Sequence, residues 1–122
     1  MPKYLSSDRE RVLAEALGSV VCQLGISDQQ VARIFELSES EVQCILSGKS
    51  SLSDGSAVFQ KAVKVVNLYT ELVGIVGEES AHLRGWMHAD NGVLGDKPVN
   101  LIVTLDGFEN VLAYLREQNQ TF

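Results

Sequence analysis

The sequence predicts an all-α fold on three observations. Apolar residues recur at intervals of three and four through residues 8–24 and again through 57–76, the spacing that lines one face of a helix. Ser7, Ser27 and Ser38 stand just ahead of helical stretches, where a hydroxyl can accept a hydrogen bond from an orphan backbone N–H. Gly25 and Gly48 follow such stretches, the position where a helix commonly yields to a left-handed residue.

Each helix has its own sequence grounds. Ser7 with Asp8, Arg9 and Glu10 reads as a capped start, and Val12, Leu13, Ala16, Leu17, Val20, Val21 and Leu24 carry the apolar face to Gly25, which places a first helix over 8–24. Ser27 caps a short helix, Asp28 to Phe35, with Val31, Ile34 and Phe35 pointing inward. Ser38 caps another, Glu39 to Ser47, with Glu41 three residues on completing a capping box. The segment Ser50 to Ser56 reads as a loop and marks the one internal boundary. A long helix over Ala57 to Val76 follows, with Phe59, Ala62, Val63, Val66, Leu68, Tyr69, Leu72, Val73 and Val76 on one broad face. Trp86 ends a short helix and reads as a ring laid over the core with its indole N–H on a loop carbonyl. Asn91 with Gly92, and then Gly95, suit turns of positive φ. Pro98 suits the start of a helical turn over Val99 to Val103, and Thr104 the cap of a last helix running to about Gln118.

Bulk properties bound the function. A chain of 122 residues, 45% hydrophobic, can build one core or two small subdomains that share one. Ten Lys and Arg face sixteen Asp and Glu, with five basic and eight acidic residues in each of 1–54 and 55–122, so there is no basic half. With a pI near 4.8, phosphate neutralisation supplies little affinity, and nucleic acid is not expected to be the sole target. The start lacks the basic and then apolar pattern of a secretory signal, and no apolar run approaches a membrane span, which predicts a cytoplasmic protein. Cys22 and Cys44, each with apolar neighbours, read as buried reduced thiols that serve packing.

The helix pair between Ile26 and Leu52 reads as a helix-turn-helix. Ala32 lets the two helices cross closely, Leu37, Val42 and Ile45 fill the wedge, and the pair closes with Leu46 to Gly48. These residues resemble the helix-turn-helix of the Xre and Cro repressor class. Glu36 stands where that class often has Gly, so it must either adopt a left-handed backbone or use a longer turn. Were this second helix to enter a major groove, Ser38, Glu39, Ser40, Gln43 and Ser47 would reach base edges, with Lys49 at the backbone. Glu39 and Glu41 oppose that docking, and the same pair also reads as a scaffold or dimerisation module.

Beyond Gly77, the positions Trp86, Asn91, Leu94, Gly95, Pro98, Leu101 with Ile102, Thr104 and Gly107, then Val111 and Leu112, follow one another in an ungapped pattern. That pattern resembles the toxin-binding domain of the MbcA, ParS and Xre antitoxins. With the upstream motif, the resemblance covers nearly the whole chain. Asp90 replaces a frequent Pro and Asp96 a second Gly, predicting a more acidic and more flexible loop.

The resemblance implies a non-catalytic antitoxin of a type II toxin–antitoxin pair. Its partner would be a RES-type toxin that consumes NAD or transfers ADP-ribose, neutralised by covering the active site, with the helix-turn-helix autoregulating the operon. Implied toxin-binding residues are Trp86, Asn91, Leu94, Gly95 and Lys97, with Arg116, Gln118, Asn119 and Phe122 of the polar end, which reads either as an insert into a nucleotide cleft or as a frayed terminus. The implied division is 1–54 as the Xre/Cro-like domain and 55–122 as the central helix with the toxin-binding domain, in a homodimer or a hetero-oligomer with toxin. A free-standing dimeric transcription regulator is the alternative. His82 and His88 do not match a zinc spacing, and no phosphate loop or nucleophile motif occurs, so neither catalysis nor a cofactor is expected.

Overall fold

The computed structural model describes residues 2–47 and 56–120. Among these, seven helices follow in order: α1 (Pro2–Leu24), α2 (Asp28–Phe35), α3 (Glu39–Leu46), α4 (Ala57–Val76), α5 (Ser80–His88), α6 (Pro98–Leu101) and α7 (Leu105–Gln120). The fold is all-α, as the periodicity predicts. Helix α1 begins six residues earlier than the expected start at Asp8. Pro2 explains the difference, because a proline in the first helical turn forfeits only an N–H that has no helical partner, and so lets the helix start there.

Local chemistry sets the helix ends. Gly25 takes φ 70, and the next amide, Ile26 N–H, reaches back to the Val21 carbonyl at 3.0 Å, the closing bond of a Schellman motif. Ser27 accepts from Gln30 N–H at 3.2 Å while the Gln30 side chain accepts from Ser27 N–H at 3.1 Å. Ser38 and Glu41 repeat this reciprocal box at the start of α3, at 3.2 and 3.3 Å. Between them Glu36 adopts φ 58 and ψ 43, the left-handed alternative anticipated for it, and Leu37 N–H bonds the Ala32 carbonyl at 2.9 Å.

Helix α4 runs from Ser56, which caps Phe59 N–H at 3.1 Å, to Gly77 at φ 89, matching its predicted bounds. It is packed on one side by α1 and on another by α7, and α2 and α5 also touch it. Ala62, Val65, Leu68 and Leu72 are buried in these contacts. Val65 takes the inward place expected of Val63, which is 37% exposed. The series 62, 65, 68, 72 follows the helical repeat, whereas Val63 lies about 100° round from Ala62. Polar links reinforce the packing: Tyr69 O–H donates to Gln23 Oε1 of α1 at 2.9 Å, and Lys64 Nζ meets Glu109 Oε1 of α7 at 2.6 Å.

Both cysteines are exposed and unpaired, not buried. Cys22 sits about 140° round the helix from Leu17, outside the buried stripe of Leu17, Val20, Val21 and Leu24, and Cys44 sits about 200° round from buried Val42. Apolar neighbours in sequence do not place a helical residue on their face. Lys49, Gly48 and the loop from Ser50 to Gly55 lie outside the described residues. Among the described residues, no helix is long and apolar enough to cross a membrane.

Substitutions at two positions test this frame. Leu72→Ala, at a fully buried site on α4, is expected to cost about 2–5 kcal/mol in chemical denaturation. Glu36→Val puts a β-branched residue in the left-handed region and is expected to cost about 1–2 kcal/mol, whereas Glu36→Gly should leave the midpoint near that of the parent.

Candidate functional site

The carboxy-terminal residues build a compact surface around the segment between α5 and α6. Asn91 organises it. Its side-chain Oδ1 accepts from the N–H groups of Val93 and Leu94 at 3.0 and 3.1 Å, and its carbonyl accepts from Gly95 N–H at 2.8 Å. Asn91 N–H in turn reaches the Asp96 carbonyl at 3.4 Å, closing a short antiparallel bridge. Only Gly95, at φ 92, uses the positive-φ freedom expected here; Asn91 and Gly92 do not, because the Asn91 side chain turns the chain by hydrogen bonding instead. Asp96 is tied in rather than loose: its Oδ1 accepts from Lys97 N–H at 2.6 Å and from Asn100 Nδ2 at 3.4 Å, ahead of α6. The backbone is thereby held from within while Val93, 77% exposed, projects outward and Leu94 packs back on the core.

Below this loop, α5 is anchored on three sides. Leu83 and Met87 are fully buried, and Trp86 stacks on Tyr114 of α7 with ring centroids 6.4 Å apart and planes 20° from parallel. The aromatic partner, not a loop carbonyl, holds the Trp86 ring. On the opposite flank Arg84 donates to the Cys22 carbonyl from Nε at 3.3 Å and Nη2 at 2.9 Å, and His88 Nε2 lies 3.0 Å from the Gly25 carbonyl. Both cap the C-terminal end of α1, where orphan carbonyls favour donors and positive charge.

Pro98 opens α6, which spans Pro98–Leu101. Thr104 caps α7, accepting from Gly107 N–H at 3.1 Å. Gly107 is where α7 crosses α6: a Cβ there would collide with the Leu101 carbonyl and stand 2.8 Å from Thr104 Oγ1. Helix α7 runs to Gln120, two residues past the expected end at about Gln118, so the described part of the polar end, Arg116 to Gln120, is helical. Arg116 and Gln118 are exposed, while Asn119 is half-buried and donates to the Glu71 carbonyl of α4 at 2.9 Å. Phe122 lies outside the described residues.

Residues 71–118 match the family model described as the antitoxin Xre/MbcA/ParS C-terminal toxin-binding domain. The chain carries an antitoxin toxin-binding domain. A comparison with curated proteins gave no match. The matched span takes in the loop, the Trp86–Tyr114 stack and the Gly107 crossing, so the ungapped pattern from Trp86 to Gly107 coincides with the part of the antitoxin domain that is hydrogen-bonded and packed as one unit.

Asn91, Leu94, Gly95 and Lys97 share the loop, with Trp86 at its root, whereas Arg116, Gln118 and Asn119 belong to the far end of α7. Sequence reasoning passed over Val93, although its place two residues after an Asn marks it as the tip of an Asx turn. Tyr114 and Arg84 had no sequence signal, because their partners Trp86 and Cys22 are distant along the chain. On α3, Glu39, Ser40 and Gln43 are exposed, but the Ser38 hydroxyl is engaged in the capping box and the Ser47 hydroxyl donates to the Cys44 carbonyl at 3.3 Å. Among the described residues no group of three His, Cys, Asp or Glu is placed to hold a metal ion.

Gly107→Ala is expected to destabilise the antitoxin domain by about 1–3 kcal/mol through overpacking against the Leu101 carbonyl, read as a lowered denaturation midpoint. Asn91→Ala removes the acceptor for two backbone donors and should speed amide exchange at Val93 and Leu94, at a cost of about 1 kcal/mol. Asn91→Asp keeps the acceptor and should preserve protection.

Proposed function

We propose that this chain is the antitoxin of a type II toxin–antitoxin pair, acting in the cytoplasm by binding, without catalysis of its own. Its partner in this reading is a RES-type toxin that consumes NAD or transfers ADP-ribose, and neutralisation consists of covering that toxin's active site. The observation that carries the proposal is the match over residues 71–118, in which the self-bonded loop presents exposed Val93 and Lys97 on a rigid base. A loop whose backbone is already satisfied loses little entropy on docking, which favours use as a contact surface.

Residues 1–54 act in this reading as an Xre/Cro-like domain that lets a dimer or a toxin complex repress its own operon, and 55–122 as the central helix and toxin-binding domain. The α2–α3 pair supports it through its two capping boxes and left-handed turn at Glu36. Two of the six residues assigned to DNA, Ser38 and Ser47, spend their hydroxyls on the protein's own groups, which leaves Glu39, Ser40 and Gln43 to reach bases and Lys49 to reach phosphate.

Co-expression with the product of the neighbouring reading frame tests the reading. The parent chain should restore growth and cellular NAD, and Val93→Asp, at a position too exposed to affect folding, should weaken the complex by at least about tenfold, or 1.4 kcal/mol. A neighbour that is neither toxic nor bound would refute the antitoxin role. Rescue that is unchanged by Val93→Asp would move the contact away from the loop.

A further inference from the structure

A groove of about 600 Å³ lies between the end of α2, the first turns of α4 and the junction of α6 with α7. Its base is apolar: Ile34, Ile102 and Phe108 are buried beneath it, and Leu105 stands in its wall with 66% of its surface exposed. Its charge is opposite to that of the molecule. Arg33, Lys61 and Lys64 line it against one carboxylate, Glu36, in a chain of net charge −6. Lys61 and Lys64 are three residues apart on α4, so they leave the helix on adjacent turns, about 4.5 Å apart along its axis. None of the residues from Trp86 to Lys97, nor the end of α7, lines this groove, so it is separate from the surface assigned above to the toxin.

The two lysines are held by the protein's own acids, Lys61 by Glu36 at 3.0 Å and Lys64 by Glu109 at 2.6 Å. Those carboxylates are themselves open to water, with side-chain exposures of 83% and 46%. Such surface pairs contribute little to stability, so an incoming carboxylate can take over either lysine at small cost. Arg33 has no ion pair among the described residues. A phosphate backbone would use the cations but leave Leu105 and the apolar base unfilled, whereas a peptide with both acidic and apolar side chains uses every part of the groove.

We propose that this groove docks an acidic, apolar segment of a protein partner. The segment sets a bulky aliphatic or aromatic side chain against Leu105 and Phe108 and places two carboxylates, one helical turn apart, at Lys61 and Lys64. Glu36 and Glu109 act as built-in competitors that hold the lysines until the partner's acids displace them.

The test uses the full chain and a fluorescent helical dodecamer with Leu and Phe on one face and two Glu three residues apart beside them, with a counterpart carrying Lys for Glu. The acidic peptide should bind and shift the NMR signals of Ile34, Val103 and Leu105, and the basic one should bind at least tenfold more weakly. The double variant Lys61→Glu with Lys64→Glu, and separately Leu105→Glu at an exposed first position of α7, should each cost about tenfold in affinity while circular dichroism stays unchanged. The pair Glu36→Gln with Glu109→Gln should instead raise affinity by threefold or more, a direction that a merely structural role for these ion pairs would not produce. Equal binding of the two peptides, shifts confined to other residues, or no gain on removing the two acids would overturn the proposal. Binding of a short DNA duplex through Arg33, Lys61 and Lys64 in place of the peptide would assign the groove to phosphates and overturn it as well.

Discussion

Burial of α4 from two sides at once is the constraint on which the other elements depend. Leu68 and Leu72 are almost completely enclosed, and they are enclosed because α1 and α7 rest on the same twenty-residue helix. A chain of this length has little apolar surface to spare for two independent cores, since the fraction of surface buried on folding shrinks as a domain gets smaller. The amino-terminal helices and the antitoxin domain therefore complete each other's core through α4. The family match itself begins at residue 71, inside that helix, so no linker separates the matched domain from the rest.

From this shared core follows the way the ends of helices are finished. The left-handed end of α1 at Gly25 is met by Arg84 and His88 from α5, so a helix terminus in the first part of the chain is satisfied by side chains of the antitoxin domain. A side chain at Gly25 would press on both, with contacts of 3.1 Å to Arg84 Cγ and His88 Nε2. Gly25 thus serves two needs, a positive φ and room for a cap contributed from a distant segment. Gly74 of α4 serves only the second need, leaving room for α7, since an added Cβ would come within 2.8 Å of Asn119 Oδ1.

Several polar side chains among the described residues are spent on the protein's own backbone. Ser27, Ser38, Ser56 and Thr104 cap helices, and Asn91 and Asp96 hold the loop. Among the described residues, exposed apolar side chains such as Val93 and Leu105 and cations such as Arg33 and Lys97 remain open to a partner, and Lys61 is held only by the exposed Glu36. That remainder suits protein partners better than bases, because base readout needs free donors and acceptors on a face that the acidic residues Glu39 and Glu41 dominate.

What the sequence by itself determined is much of what depends on neighbours a few residues away. The bounds of α4, the capping box at Ser38, the left-handed Glu36 and the Thr104 cap are set by local hydrogen bonds and by the helical repeat, and the Trp86 to Gly107 pattern marks the antitoxin domain. Only the tertiary structure decided the rest. Exposure of Cys22 and Cys44, the exchange of Val63 for Val65 in the core, the Trp86–Tyr114 stack and the docking of Asn119 on α4 all turn on which face meets a distant helix. A periodic pattern names a stripe only to within about one residue's rotation, and it holds no information about what will pack there.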